Sequence, residues 1–122
     1  MDIRKNSEFI VNAFIEQICY GLYDLQIHFN IDLTISTGRR LEYRQSNGNI
    51  YHWTGENGRA LFSMNGIIEV PVTATSVENS GTLHIFFENG DEIVFIAFDE
   101  PYEQIMLTSR ESFQVVFHKN HE

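Results

Sequence analysis

Residues 82–98 read TLHIFFENGDEIVFIAF, and this stretch decides the fold class. Leu83, Ile85 and Phe87 alternate with His84, Phe86 and Glu88, and Ile93, Phe95 and Ala97 alternate on the far side. That is the two-residue period of a strand, whose successive side chains point to opposite faces. Between the runs lies Asn89-Gly90, the dipeptide that most readily takes the positive φ angles of a tight type I′ turn, while Glu88 and Asp91 leave room for a longer loop. The stretch reads as a β-hairpin with Leu83, Ile85, Phe87, Ile93 and Phe95 on its inward face.

The rest of the chain extends the same pattern. Ser7 in N-cap position, with Phe9, Ile10, Ala13 and Phe14 at helical spacing, predicts a short helix over 7–13. From Ile15 the alternation of a strand runs through Ile18 and Leu22 into Leu25, Ile27 and Phe29, with Gly21 as a bulge or bend. A return strand (Leu33, Ile35, Thr37), a third over 41–45, and a fourth over 50–53 after Asn47-Gly48 follow. Leu61, Phe62 and Met64, closed by Gly66, predict a second short helix over 56–65. Residues 67–77 are strand-like but interrupted by Pro71, which donates no ladder hydrogen bond and so marks an edge or bulge. Beyond the hairpin, 102–108 and 112–117 read as strands and 118–122 as a frayed tail. The fold class is therefore mainly β, α+β at the margin: antiparallel sheets forming a sandwich or a partly open barrel.

Two halves of the chain resemble each other. Leu25, Ile27 and Phe29 have the spacing of Leu83, Ile85 and Phe87, 58 positions on, and Leu33 and Ile35 match Ile93 and Phe95. Residues 9–15 and 62–68 both run from a helix-like piece into an Ile-rich strand. Either a unit is repeated over 7–54 and 59–118, or two stretches of period-two pattern coincide, as any antiparallel β protein allows.

At 122 residues the chain fits one domain, 1–122, and ten Phe with five Tyr suit pleated, half-buried surfaces. Cys19, alone, makes no internal disulfide, and the N-terminal residues lack the basic and apolar regions of a secretory signal, so a cytoplasmic location is expected. The longest apolar run, 93–98, is strand-sized, far short of the roughly 20 residues a membrane helix needs. The formal net charge of −9 is uneven. Residues 1–60 carry seven acids and six bases, whereas 61–122 carry ten acids against Arg110 and Lys119 alone. Such a field repels nucleic acid and anionic membrane and attracts basic partners, although acidity also simply keeps a small protein soluble.

The sequence has no Walker, GxGxxG, HExxH, GxSxG or paired-cysteine pattern, which argues against an enzyme. Cys19 follows Ile18 in an apolar, strand-like segment and reads more readily as a buried, inert thiol than as a nucleophile. Of His28, His52, His84, His118 and His121, only the last two lie at a recognised ligand spacing, so neither a metal nor another cofactor is expected. His28 and His84 fall on the faces opposite the apolar ones. Glu88, Asp91, Glu92, Asp99, Glu100 and Glu103 crowd the tip and exit of the hairpin, where water screens them and acid–base catalysis is disfavoured. As a docking surface for a basic protein they are better placed, with Asp91, Glu92, Asp99, Glu100 and Glu103 as the contact patch.

The segments IEQICYGLYDLQIHF (15–29), YHW (51–53), GTLHIFFENGDEIVF (81–95) and PYEQIML (101–107) together resemble a family of small bacterial domains of unknown function. Its members show an LEQVC-G-x-x-LQLxF opening, a tryptophan-containing middle and a GTLxLxFxNGxxLxI…YE close. Asn12 stands where that pattern usually has Gly, and Gln104-Ile105 where Ser-Tyr is common. The family has no established catalytic residues, and some members sit where immunity proteins of polymorphic toxin systems are expected. The resemblance implies a non-enzymatic binding protein, neutralising a toxin domain, a nuclease for example. Two rivals stand beside it. One is a small-molecule binder or enzyme with a pocket lined by Trp53, Tyr20 or Tyr51. The other is a module that self-associates through an exposed edge strand.

Overall fold

The period-two runs become ten strands in the computed structural model, which describes residues 7–55, 60, 62–97, 105–108 and 114–117. They are β1 (Ile15–Tyr20), β2 (Leu25–Phe29), β3 (Leu33–Thr37), β4 (Arg40–Arg44), β5 (Ile50–Thr54), β6 (Val72–Val77), β7 (Leu83–Phe87), β8 (Glu92–Phe95), β9 (Ile105–Thr108) and β10 (Gln114–Phe117). Two five-stranded antiparallel sheets result, in the orders β1-β2-β3-β9-β10 and β5-β4-β8-β7-β6. The sheets are not closed into a barrel. They share one core, to which the first contributes Leu25, Ile27, Ile35 and Leu107 and the second Leu41, Tyr43, Ile85, Ile93 and Phe95. The mainly β, antiparallel architecture is thus the one the alternation predicts.

The hairpin β7–β8 closes through three residues. The Phe87 N–H donates to Asp91 O, and the Gly90 N–H turns back to Phe87 O, both at 2.9 Å. Gly90 alone of the loop takes a positive φ, +91°, so this is the longer loop and not the type I′ turn. The same closure recurs at Gln45–Asn49 around Gly48 and at Glu78–Thr82 around Gly81. Asp32, at φ 57°, holds the matching position between β2 and β3.

Each sheet takes its first three strands from one half of the chain and two from the other: β1-β2-β3 join β9-β10, and β6-β7-β8 join β4-β5. The halves correspond in detail. A single 3₁₀ turn leads each, Glu8–Ile10 and Asn65–Ile67. Asn12 and Glu69, 57 positions apart, both have positive φ, 74° and 70°. The Asn12 N–H donates to Val72 O, and the Glu69 N–H to Ile15 O, at 2.8 and 2.9 Å. Both edge strands carry a bulge at the same point, between Ile15 and Gln17 and between Val72 and Ala74. Turn 30–32 is tied to Phe14 O by the Asn30 N–H, and turn 88–90 to Pro71 O by the Glu88 N–H. The lead-in segments therefore correspond at 57 positions rather than the 53 that 9–15 and 62–68 suggest. In the hairpins Ile27↔Ile35 matches Ile85↔Ile93, so Leu33 corresponds to Asp91 and Ile35 to Ile93.

Three elements differ from their sequence reading. The helix expected over 7–13 is one turn, because Val11 is already extended and the Ser7 hydroxyl meets Thr75 Oγ1 at 2.6 Å instead of capping. The long strand expected over 15–29 is a hairpin, broken where the Gly21 N–H donates to Asp24 O. The strand expected from 67 begins only at Val72, after Pro71. Half of the helix expected over 56–65 lies outside the described residues, which at that place form only the Asn65–Ile67 turn.

Candidate functional site

Because each strand alternates, the two acids at the start of β8 part company. Asp91 occupies the place that Leu33 holds in the other half and turns inward, 7% exposed. Its carboxylate accepts the Tyr43 hydroxyl at 2.6 Å, the Ser46 N–H at 2.9 Å and the Asn89 amide at 3.2 Å. Burial, and then the hydrogen bond to Asp91, push the Tyr43 phenol up to about 12. Asp91 thus pins turn 45–49 and β4 to the hairpin tip and presents no free oxygen to a partner.

Glu92 points to the outer face of the second sheet, where a string of alternating charges crosses the strands. His52 Nδ1 of β5 lies 3.2 Å from Glu42 Oε1 of β4. Arg44 Nε and Nη2 both donate to Glu42 Oε2, at 3.1 and 2.8 Å, and Arg40 Nη2 lies 3.5 Å from Glu42 Oε1. Arg44 reaches Glu92 at 3.8 Å, and Glu92 accepts from His84 Nδ1 at 2.6 Å. The other His84 nitrogen meets Glu78, at the end of β6. Burial works against the charged form of His84, but the hydrogen bonds and charges of Glu78 and Glu92 outweigh it and raise its pKa. With both ring nitrogens facing carboxylates, the ring is held as an imidazolium. Beneath this string Val94 is 2% exposed, and at its margins Ile50 and Phe86 stand open to solvent. The face is a charge-balanced layer and not a row of free acids.

Asp99, Glu100 and Glu103 lie outside the described residues. Of the five acids expected as the contact patch, the described pair, Asp91 and Glu92, is separated onto opposite faces. Apart from Glu78, which pairs with His84, the exposed carboxylates among the described residues are others: Glu8, Glu16, Asp32, Glu69 and Glu88. They gather around the seam where the halves cross. Glu69 is hydrogen-bonded through its N–H to Ile15, the neighbour of Glu16; Glu88 is tied to Pro71; and Asp32 shares a cleft with Glu16. The arginines among the described residues, Arg39, Arg40 and Arg44, lie on β4 or the turn leading into it.

The aromatic residues considered for an interior pocket are engaged otherwise. Trp53 belongs to the core, 2% exposed. The Tyr20 hydroxyl accepts the Met64 N–H at 2.8 Å, and Tyr51 stacks between Tyr43 and Phe62. A cleft of about 460 Å³ opens instead on the outer face of the first sheet, lined by polar residues including Gln17, His28, Thr34 and Thr108. Beside it Cys19 Sγ lies 3.6 Å from His28 Nε2, and Cys19 is half-buried, not sealed in the core as the sequence suggests. Among the described residues no three His, Cys, Asp or Glu are grouped as a metal would require, and no helix is long and apolar enough to cross a membrane. No protein-family model, curated protein or solved structure matches the chain.

Proposed function

We propose that this chain is a non-enzymatic binding protein of the bacterial cytoplasm, an immunity protein that neutralises a toxin domain by covering its basic substrate-binding surface. The observation that carries this reading is the exposed set Glu8, Glu16, Asp32, Glu69 and Glu88 around the seam, in a chain of formal net charge −9. Toxins that act on RNA or DNA present basic clefts. An acidic partner gains association rate from steering and affinity from charge pairs that lose their water. The backbone of the seam is fixed by hydrogen bonds from both halves, so these acids are offered on a framework that needs little ordering on binding. Asp99, Glu100 and Glu103 add charge to the second half of the chain, which also carries Glu69 and Glu88, and Glu92 serves as a bridge within the sheet.

The test is co-expression in a bacterial host of this chain with the protein encoded beside its own gene. Growth restored by the wild type and lost with Glu16→Lys, Glu69→Lys and Glu88→Lys combined is the expected result. Circular dichroism checks that the charge-reversed protein folds, and the association rate of the purified pair should fall steeply with added salt. Absence of rescue, or rescue by the charge-reversed protein at the wild-type level, overturns the reading.

A further inference from the structure

We propose that Cys19, His28 and Thr34 form a reactive-thiol site on the outer face of the first sheet, modified by low-molecular-weight disulfides that are neutral or cationic. Alternation in β1 sends Ile18 into the core and Cys19 outward. Pairing of β1 with β2 sets Gln17 opposite His28 and Cys19 opposite Gln26, which makes His28 the diagonal neighbour of the thiol. Pairing of β2 with β3 sets Thr34 opposite His28. The geometry follows from that register: Sγ to Nε2 is 3.6 Å, and Nδ1 to Thr34 Oγ1 is 2.8 Å. Three adjacent strands thus supply a nucleophile, a base within hydrogen-bond reach, and a group that orients the base. With Nδ1–H donated to Thr34 Oγ1, Nε2 is the lone-pair nitrogen that faces the thiol.

The surroundings define the reagent. His28 and Thr34 also line a cleft of about 460 Å³, which opens beside the imidazole that the thiol faces. Glu16 and Asp32 stand at the rim of that cleft, so an anionic disulfide is repelled and a neutral or cationic one is not. In the reaction the thiol proton passes to His28 Nε2 and the Cys19 thiolate attacks one sulfur of the disulfide. A new S–S bond forms to Cys19 as the old one breaks, and the departing thiolate takes the proton from His28. One disulfide is exchanged for another, and no further oxidant is needed. The site lies on the opposite sheet from the charge-paired face and does not depend on the partner reading above.

The experiment uses the purified full chain and dipyridyl disulfide, which is uncharged, with release of thiopyridone followed by absorbance. Wild type should release one equivalent, gain the mass of one pyridylthio group, and react faster than N-acetylcysteinamide at the same pH. His28→Gln should react on the order of 100-fold more slowly, the low end of what a positioned base contributes, with Thr34→Val in between. A wild-type rate no greater than that of the small thiol, or equal rates for wild type and His28→Gln, overturns the assignment. Should His28→Gln fail to fold, the comparison of wild type with the small thiol decides.

Discussion

At the scale of single residues, chemistry here is set by which side of a strand a group falls on. Asp91 and Glu92 are neighbours, yet one is a buried acceptor for Tyr43 and Ser46 and the other a bridge between Arg44 and His84. Replacing Asp91 with Ala leaves a buried phenol and a backbone N–H without their acceptor, and should cost about 1.5–3 kcal/mol in denaturant unfolding. Tyr43 reports on the same contact. Its pKa is raised in the fold to about 12, so the stability it confers is complete below the ordinary value near 10 and is lost as pH climbs toward 12. Absorbance titration of Asp91→Asn should show the phenol ionising earlier than in wild type, though still late, since burial is the larger cause. His84 also has a raised pKa. Its contribution is complete below about 6.5 and fades as pH rises through the folded value. The difference in melting temperature between wild type and His84→Gln should therefore be largest in mild acid and shrink in alkaline buffer. The inward turn of Asp91 was hidden in the sequence, because an acid beside Asn-Gly looks like any solvated turn residue. The phase of Asp91 with Ile93 and Phe95, together with the correspondence to Leu33, reveals that its position faces the core.

At the scale of elements, alternation made β2, β3, β7 and β8 legible, since Leu25, Ile27, Phe29 and their counterparts face one core. It failed at 21–24, where exposed Leu22 and Tyr23 continue the apolar pattern through a turn. That one misreading also concealed the Cys19–His28 contact. Nine positions along a single extended strand span roughly 30 Å, whereas the hairpin brings the two side chains together. The loops divide by the residue at their left-handed position. Gly90 at φ +91° would place an added Cβ 2.9 Å from Ser46 Cβ, so Gly90→Ala should lower stability by about 1–2 kcal/mol. Asp32 sits in the matching position at φ 57° without glycine's freedom, and Asp32→Gly should be neutral or stabilising in the same assay.

At the scale of the whole molecule, neither half owns a sheet. Each half's first three strands find their last two partners in the other half, so the stable unit is the pair. Fragments 1–55 and 60–122 should each lack native near-ultraviolet circular dichroism alone and recover it on mixing at equal concentration. A fragment that folds unaided would mean that the cross-half pairings β3–β9 and β4–β8 are dispensable. This exchange was only partly legible in the sequence: the 58-residue spacing of Leu25–Phe29 and Leu83–Phe87 pointed to like hairpins, but no local pattern tells a strand which sheet it will enter. The exchange also decides how the molecule answers a pull. The first and last strands, β1 and β10, are the two outer edges of one sheet, and β5 and β6, which flank the middle connection, are the two outer edges of the other. Tension applied to the two ends of the chain therefore loads the first sheet from both margins at once, entering beside Ile15 at one end of the strands and leaving beside Phe117 at the other, while the edge strands of the second sheet take neither end of the chain.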